Sequence, residues 1–319
     1  MKEALILLIM FWNLENFFDP FNNQVNKDID FTPSGYKNWT YSRFLKKRDN
    51  IAKTIILCSD YYKTTPAIIG LCEIENRLVL EQLAYKSILE TLDYTIIHKE
   101  SNDARGIDLA LLYKKEVLTL LRSHFFKIKS TDTSFKTRDI LYAKFLYPQS
   151  KDTIHCLVNH WPSKLGNKKT SNLRRLATLK TLNKIIDSIN CTNKNALIIA
   201  MGDFNENSNS KIINSINNLS NLKPTTIGHE GKSVKGSYKY KGQWENIDQF
   251  LLSDSFKNNK ISNLQINSKS MQIFSHPFLL LPDKKYLGYK PFRTTLGPQY
   301  IGGTSDHLPI ILIINPILQ

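Results

Sequence analysis

The sequence predicts a layered α/β fold with sheets inside and helices outside. Short apolar runs that indicate buried strands recur along the whole chain, and segments with helical spacing lie between them. Several runs lack alternation between apolar and polar residues, which is typical of strands covered on both faces. The composition includes 41% hydrophobic and 11% aromatic residues, which supports a substantial core. Since no linker or repeat divides the chain, we expect one domain spanning residues 1–319.

The predicted elements follow from these patterns in chain order. Apolar runs predict strands at residues 5–11, 67–71, 94–97, 109–113, 140–146, 153–158, 197–201, 249–252 and 310–314. Helical spacing predicts helices at residues 42–59, 78–91, 171–189 and 211–219. The third helix has Ser171 and Asn172 as N-cap candidates. Residues 268–303 are rich in Pro, Gly and aromatics without clear periodicity, which indicates a long functional loop.

The chain carries a formal net charge of +15, from 43 Lys and Arg against 28 Asp and Glu. A surplus of this size attracts polyanions and favours a substrate that bears phosphate. The chain is also rich in Lys, Asn and Ile together, a bias that AT-rich coding sequence produces without selection for any partner. The charge therefore does not distinguish nucleic acid from a phospholipid head group.

The N-terminal run at residues 4–10 resembles the start of a secretory signal, but it continues into Phe11 and Trp12 without an A-x-A cleavage site. We interpret it as the first core strand. No run is long enough to span a bilayer, so we predict a cytoplasmic location for the chain as written, or an extracytoplasmic one if a leader precedes it. The four cysteines lack C-x-x-C spacing, which favours buried free thiols over a structural zinc site. No obligate protein partner is evident, so we expect a monomer.

Polar side chains follow several predicted strands at the points where the strands end. Residues i and i+2 of a strand share a face, so Asp203 and Asn205 can converge on one small target. The alternative for this pair is an Asn-rich turn with purely local roles. If the strand ends lie on one edge of the sheets, their polar groups line a crevice there. The other residues that follow predicted strands are Asn13, Glu15, Glu73, Glu75, Asn159 and His160, whereas Asp248, Asp306 and His307 come just before the strands at 249–252 and 310–314.

The chemistry of these groups is coherent. Carboxylate and carboxamide oxygens are hard ligands suited to Mg²⁺, Mn²⁺ or Ca²⁺. Histidines that take a carboxylate partner can bind phosphoryl oxygens or move protons near neutral pH. The pattern suits a reaction in which a hard cation assists the attack of water on phosphorus.

Seven motifs occur in one order along the chain: W-N-L-E-N, G-L-C-E, R-G-I-D-L-A-L-L-Y, N-H-W-P-S-K, G-D-F-N, I-D-Q-F and S-D-H-L-P. Together they resemble the endonuclease/exonuclease/phosphatase superfamily, and they extend from Asn13 to His307. The resemblance implies a four-layer α/β sandwich, with two packed mixed β-sheets flanked by helices. It also implies an enzyme that hydrolyses a phosphoester by in-line attack of water with Mg²⁺ or Mn²⁺, and with Ca²⁺ as an alternative ion.

The resemblance assigns a metal site to three of these residues. Glu73 in G-L-C-E would be the principal ligand, with Asn13 assisting nearby. Asp306 in S-D-H would supply a further contact to the metal or to water. Glu15 and Glu75 each lie two places from a better candidate, so we expect them to be exposed or to support the ligands.

The resemblance also implies catalytic roles. Asp203 would orient or deprotonate the attacking water, and Asn205 would hold a metal-bound water or a phosphoryl oxygen. His307 would contact the scissile phosphate, and Asp248 would orient its imidazole. Whether Asp203 or a histidine takes the proton from water stays open.

The second histidine is His160 in N-H-W-P-S, which the resemblance implies lies near the leaving group. Asp108 in R-G-I-D would be the carboxylate that orients it. The alternative for Asp108 is a turn in which it forms a salt bridge with Arg105.

The substrate is predicted to be a phosphoester, with nucleic acid favoured. The segment 236–243 resembles a Tyr-x-Tyr-x-x-Gly-Gln segment of bacterial extracellular nucleases in the superfamily, and it contains Tyr238 and Tyr240. With Lys164 and Arg175 it predicts a basic, aromatic strip for a nucleic-acid backbone. The alternatives are a solvated helix face and ordinary strand packing. A phosphatase or phosphodiesterase of a small metabolite, inositol phosphate or phospholipid head group is the second hypothesis, and a binding module without catalysis is the third.

Overall fold

The structure is a computed structural model that describes residues 6–21, 29–132, 134–164, 167–216, 219–221, 225–226, 234–258, 261–267 and 269–316. The helices of these residues are α1 (Tyr41–Tyr62), α2 (Arg77–Tyr85), α3 (Lys168–Thr192) and α4 (Lys211–Asn214). No helix among the described residues has the length and apolar character needed to cross a membrane.

The strands are numbered in chain order, and those of the larger sheet, sheet A, are β1 (Leu7–Phe17), β2 (Ile68–Ile74), β3 (Tyr94–His98), β4 (Asp108–Lys114), β10 (Thr225–Thr226), β14 (Leu264–Gln265), β15 (Met271–Ile273) and β20 (Ile310–Pro316). Their spatial order is β10-β15-β20-β1-β2-β4-β3, with β14 paired to β20. Strand β1 is parallel to β2 and antiparallel to β20, so sheet A is mixed.

The second sheet, sheet B, contains β5 (Thr119–Phe126), β6 (Ile140–Tyr147), β7 (Asp152–His160), β8 (Leu197–Asp203), β9 (Ser220–Asn221) and β13 (Asp248–Leu252). Their order is β5-β6-β7-β8-β13-β9, and only β7 and β8 pair in parallel among the described strands of this sheet. Three separate hairpins complete the described strands: β11 (Tyr238–Tyr240) with β12 (Gln243–Glu245), β16 (Leu280–Pro282) with β17 (Tyr289–Pro291), and β18 (Thr295–Leu296) with β19 (Gln299–Tyr300).

The two sheets pack face to face, and helices cover their outer faces. Apolar side chains of β1, β2 and β4 form one core cluster with those of β6, β7 and β8. Helices α1 and α2 add to this cluster through side chains such as Phe44, Ile55 and Val79. Leu182 and Ile186 of helix α3 pack against sheet B in a second cluster. The layers therefore run helix, sheet, sheet, helix, which confirms the predicted sandwich.

Several element boundaries differ from the predictions because of local hydrogen bonds. The segment 78–91 is not one helix, since Ser87 interrupts it. The Ser87 hydroxyl donates to the Leu83 carbonyl at the end of α2, and it accepts from the Leu89 amide at 3.1 Å to cap a 3-10 helix over Ile88–Leu92. Helix α3 begins before the predicted caps because Asn167 accepts from two backbone amides of the first turn.

Other differences reflect exposure and length. Strand β5 was not predicted, because it is an edge strand with mostly exposed residues and no buried apolar run. Helix α4 is shorter than predicted, and residues 5, 217, 218 and 268 of the predicted elements lie outside the described residues. The predicted loop 268–303 contains β15 to β19. Cys191 is exposed, whereas the other three cysteines are buried free thiols as predicted.

Strands β7 and β8 approach each other closely at Gly202. A Cβ atom there would lie 2.3 Å from the Asn159 carbonyl oxygen and 2.7 Å from the Asn159 Cβ. The register of this pair places His160 opposite Asp203. Gly202 is therefore required for the approach that brings these two polar residues together.

We expect Gly202→Ala to lower the free energy of unfolding by about 3 kcal/mol, because two backbones must separate to admit the methyl group. Gly70→Ala is the matched control, since its Cβ would meet the Met201 Sδ at 3.0 Å, near the end of a flexible side chain. Urea denaturation followed by circular dichroism measures both. Equal losses in the two variants would contradict the role of the close approach.

Candidate active site

The predicted polar residues converge where the ends of β1, β2, β7, β8 and β13 meet. Asp203 pairs across the ladder with Asp248 on one side and with His160 on the other. Asn13 lies opposite Cys72 in the β1–β2 ladder, which brings it beside Glu73. The Asn13 Nδ2 donates to the Asp203 Oδ2 at 3.0 Å, so one hydrogen bond joins sheet A to sheet B.

A buried ion pair holds His307. Its Nδ1 lies 2.7 Å from the Asp248 Oδ2, which also accepts from the Ser237 hydroxyl at 2.5 Å. The indole of Trp12 donates to the His307 carbonyl at 2.9 Å and fixes the backbone. Burial lowers the pKa of His307, but the charge of Asp248 outweighs it and raises the pKa to about 10. His307 is therefore an imidazolium at neutral pH, aimed by the partner that the sequence predicted.

Asp203 lies between the two histidines. Its Oδ2 is 3.7 Å from the His160 Nε2 and 3.9 Å from the His307 Nε2. The Asn205 amide donates to the other carboxylate oxygen at 2.9 Å, and the Asn205 Nδ2 donates to the Trp161 carbonyl at 3.0 Å. Burial and the charge of Asp248 raise the pKa of Asp203 to about 7. A carboxyl group with such a pKa can exchange a proton near neutral pH.

The pKa of His160 is shifted in the opposite direction to that of His307. Its Nδ1 is buried and has no hydrogen-bond partner among the described residues, and its Nε2 lies 3.8 Å from the Glu73 Oε1. Burial, followed by the charges of Arg138 and Arg105, holds the pKa of His160 well below its usual value. Arg138 also donates to the His160 carbonyl at 2.7 Å, so it fixes the chain and disfavours protonation of the ring. The site thus contains one charged and one neutral imidazole.

Glu73 has the properties of a ligand for a hard cation. Its Oε2 accepts from the Asn16 amide at 2.8 Å and lies 3.3 Å from an Arg105 nitrogen, whereas its Oε1 makes no hydrogen bond to the described residues. Burial alone would raise the pKa of Glu73, but the charges of Arg105 and His307 outweigh burial and lower it. The carboxylate is therefore ionised with one oxygen open, and the neighbouring Asn13 adds a hard amide oxygen.

Asp203, Asp248 and His307 form an acidic and histidine cluster, in which one oxygen or ring nitrogen of each residue lies within 4.8 Å of the others. Because His307 is an imidazolium paired with Asp248, its ring has no lone pair for a metal ion. Glu73 and Asn13, beside this cluster, are therefore the residues that fit a hard cation.

Asp306 belongs to a network that the sequence did not reveal. Its Oδ2 accepts from Arg293 at 3.1 Å, and its Oδ1 is 3.9 Å from the His307 Nε2. Arg293 also donates to Glu15 at 3.1 Å, and Glu15 accepts from the Thr294 amide at 2.7 Å. Glu15 is buried rather than exposed, and its carboxylate supports the segment that carries Asp306.

Lys47 is a fully buried cation of α1 beneath this network. Its Nζ donates to the Glu15 carbonyl, and to the Thr294 hydroxyl at 2.7 Å. Burial lowers the pKa of Lys47 to about 8, although the charge of Glu15 opposes the shift. Burial and the charge of Asp306 raise the pKa of Glu15 to about 7. Sequence reasoning missed Lys47 because it lies in a helix with other lysines, and only the fold shows that its position faces inward.

Backbone conformations at the site are unusual. Glu15, Asn16, Glu73 and Asn205 have φ angles of 48°, 55°, 61° and 50°. Residues other than glycine seldom adopt this left-handed region, and such strain concentrates at functional sites. Three of these residues lie near the ends of β1 and β2, where the strand pairing shifts register, and Asn205 lies just after β8.

The predicted pairing of Asp108 with His160 is not formed. Asp108 accepts from the Ser101 amide at 2.9 Å and lies 3.3 Å from the His98 Nε2. The hairpin of β3 and β4 places His98 beside the start of β4, so the Asp108 carboxylate is satisfied there. The alternative salt bridge with Arg105 is not formed either, since Arg105 extends to Glu73.

The predicted substrate-binding residues differ in their exposure and in their contacts. Arg175 is buried, with its guanidinium 2.9 Å from Glu206 and hydrogen-bonded to two carbonyls of the segment after His160. Its guanidinium therefore faces partners inside the protein and is not exposed to a substrate. Lys164 is half-exposed and lies 3.5 Å from Glu206. Tyr238 packs on the His307 ring with centroids 4.7 Å apart, and Tyr240 is exposed at the end of β11.

A four-layer sandwich with carboxylates and imidazoles gathered at its strand ends suits a hydrolase of phosphoester bonds. The chain belongs to the Endonuclease/Exonuclease/phosphatase family, whose model matches residues 8–316. This match confirms the resemblance that the motifs indicate.

Solved structures share the fold at low sequence identity. An endonuclease/exonuclease/phosphatase from Bacteroides vulgatus has 14% identity and a TM-score of 0.60, over 98% of this chain and 99% of that chain. A mannosyl-6-phosphatase from Bacteroides thetaiotaomicron has 15% identity and a TM-score of 0.60, over 97% and 99%. TDP2 of D. rerio, solved with a single-strand DNA product, has 15% identity and a TM-score of 0.56, over 97% and 99%. A sequence comparison with curated proteins gives no match.

We expect Lys47→Met to lower the free energy of unfolding by about 3–5 kcal/mol, because it removes one partner from a buried polar network. Lys46→Met is the matched control, since Lys46 is the adjacent lysine of α1 and is exposed. Denaturation in urea measures the difference. A loss of similar size in both variants would contradict the buried role of Lys47.

The buried pair of Asp248 and His307 predicts a pH dependence of stability. Because the pKa of His307 rises from 6.5 to about 10 on folding, its contribution is complete below pH 6.5 and is lost as the pH approaches 10. In Asp248→Asn the main cause of this rise is absent. In the presence of chelator, the difference in free energy of unfolding between the native chain and Asp248→Asn should therefore shrink as pH rises through this window. A constant difference would contradict the charged state of His307.

Proposed function

We propose that the protein is a divalent-metal-dependent phosphodiesterase that hydrolyses nucleic acid. The observation that carries the catalytic part is the arrangement around Asp203. The Asp203 carboxyl group titrates near neutral pH and lies within 4 Å of both a charged and a neutral imidazole. Its hydrogen bond with Asn13 joins it to β1, the neighbour of the strand that carries Glu73 in sheet A. Such a set can place water, a proton acceptor and a positive charge around one phosphorus atom.

The roles follow from the charges. His307, held as an imidazolium by Asp248, stabilises the negative charge that develops on the phosphoryl oxygens. Asp203 orients the attacking water and accepts its proton, because its pKa of about 7 matches this task. Asn205 adds a neutral amide beside the same centre, and His160 faces the site as a neutral imidazole.

The metal is proposed to be Mg²⁺ or Mn²⁺. Glu73 would be the principal ligand, since its ionised carboxylate has one oxygen free of hydrogen bonds, and Asn13 and Asp306 would assist. The ion would withdraw charge from the phosphoryl group. Asp306 can serve while its other oxygen remains bound to Arg293.

Two observations support nucleic acid as the substrate. The net charge of +15 favours a polyanion, and Tyr238 lies against His307 where a base or sugar could stack beside the scissile phosphate. The fold is also shared with TDP2 of D. rerio, which was solved with a DNA product. The second candidate is a phosphatase of a small phosphorylated molecule, which the likeness to a mannosyl-6-phosphatase supports.

We expect Asp203→Asn and His307→Gln each to reduce turnover by about 10² to 10⁴ while the protein stays folded, because each removes a group that acts on the reacting atoms. The assay follows supercoiled plasmid, a single-stranded oligonucleotide and a panel of phosphorylated metabolites, each with Mg²⁺ and with chelator. His124→Gln is the control, since this histidine lies on the exposed edge strand β5.

Three results would contradict parts of this proposal. A folded Asp203→Asn variant with nearly native turnover would overturn the catalytic assignment. Hydrolysis of a metabolite without nicking of DNA would favour the phosphatase. An absence of metal-dependent release from every ester would favour a binding module.

A further inference from the structure

An aromatic and basic surface lies at the tips of two hairpins near the active site. We call it the hairpin platform and define it as Tyr240, Lys241, Lys285, Tyr286 and Leu287. The tyrosines are 49% and 43% exposed, and Leu287 is 79% exposed. The lysine Nζ atoms lie 5.4 and 5.2 Å from the ring centroids of the neighbouring tyrosines. The platform thus combines flat apolar rings with positive charge.

A buried ion pair fixes the two hairpins to each other. The Lys239 Nζ lies 2.9 Å from the Asp283 Oδ2, and both side chains are only 5% exposed. The same ammonium donates to the carbonyls of Leu287 and Tyr289 at 3.2 and 3.0 Å. The tip of the second hairpin is therefore held in place by a side chain of the first.

Gly242 brings the Tyr286 ring against the first hairpin. A Cβ atom at Gly242 would lie 2.8 Å from the Tyr286 Cγ, so the ring packs directly on the backbone there. The platform is consequently ordered before any ligand binds, which reduces the entropy lost on binding.

The platform continues a row of rings that begins at the active site. Tyr238 packs on His307, and Tyr240 lies two residues further along the same strand. Residues at this spacing share a face and are about 7 Å apart. Tyr286 then follows from the second hairpin. The row leads outward from the histidine proposed to contact the scissile phosphate.

We propose that the hairpin platform binds the unpaired nucleotides that flank the cleaved phosphate. This inference rests on the nuclease function proposed above. Bases stack on tyrosine rings without sequence preference, and Lys241 and Lys285 neutralise the phosphates between them. The lysines and the exposed leucine of the platform would also suit an anionic membrane surface. The row of rings that extends from His307 favours a single nucleic-acid strand instead, because its bases and phosphates follow one another along a line.

The test compares Tyr240→Ala/Tyr286→Ala with Tyr36→Ala. Tyr36 is a matched control, since it is 60% exposed beneath Lys37 and lies outside the platform. Fluorescence anisotropy measures binding of a labelled single-stranded oligonucleotide, and steady-state kinetics measure its cleavage and the hydrolysis of a generic phosphate bis-ester. We expect the double variant to raise Kd and KM for the oligonucleotide by about tenfold or more. Hydrolysis of the bis-ester should stay within about twofold of the native rate.

The outcomes separate this inference from the proposed function. Unchanged oligonucleotide binding in the double variant, or no binding by the native chain, would overturn the platform. Loss of binding to phosphatidylserine vesicles without loss of oligonucleotide binding would assign the surface to a membrane instead. If the native chain binds the oligonucleotide through the platform but cleaves only metabolites, the platform stands and the nuclease function fails.

Discussion

The burial of several carboxylates at the seam between two sheets is the constraint on which the rest of the site depends. A buried carboxylate is costly unless a cation or hydrogen-bond donors compensate it. Arg105 compensates Glu73, and His307 compensates Asp248. The nearest hydrogen-bond donors of Asp203 are neutral amides, and it retains a raised pKa. The same electrostatics that the fold must satisfy therefore give Asp203 a pKa that differs from those of the ionised groups around it.

The supporting network extends this logic away from the crevice. Glu15 and Arg293 tie the first strand of sheet A to the segment before the last strand, and Lys47 anchors them from α1. Because α1 covers the outer face of sheet A, its buried lysine couples helix packing to the position of Asp306. Three elements distant in the sequence are thus joined by one network, in which the charges of Glu15 and Lys47 are buried.

Much of the fold and part of the site could be predicted because their signals are local. Apolar runs indicated most long strands, and polar residues at their ends indicated Asp203, Asp248 and His307. The edge strand β5 carries no such signal, since its residues face solvent. Arg175 appeared to be a surface cation, and only the position of Glu206 within the fold makes it a buried partner. Features that depend on a partner distant in the chain could not be predicted from the sequence.

The sequence by itself determined the layered α/β class, the family and the set of oxygen and imidazole groups at strand ends, because strand periodicity and motif order are properties of the chain alone. The tertiary structure decided which group faces which. It gave His307 its charge through Asp248, left His160 neutral beside Arg138, and turned Asp108 to His98 instead. The physical reason is that a pKa depends on burial and on neighbouring charges, and both exist only once the two sheets have packed.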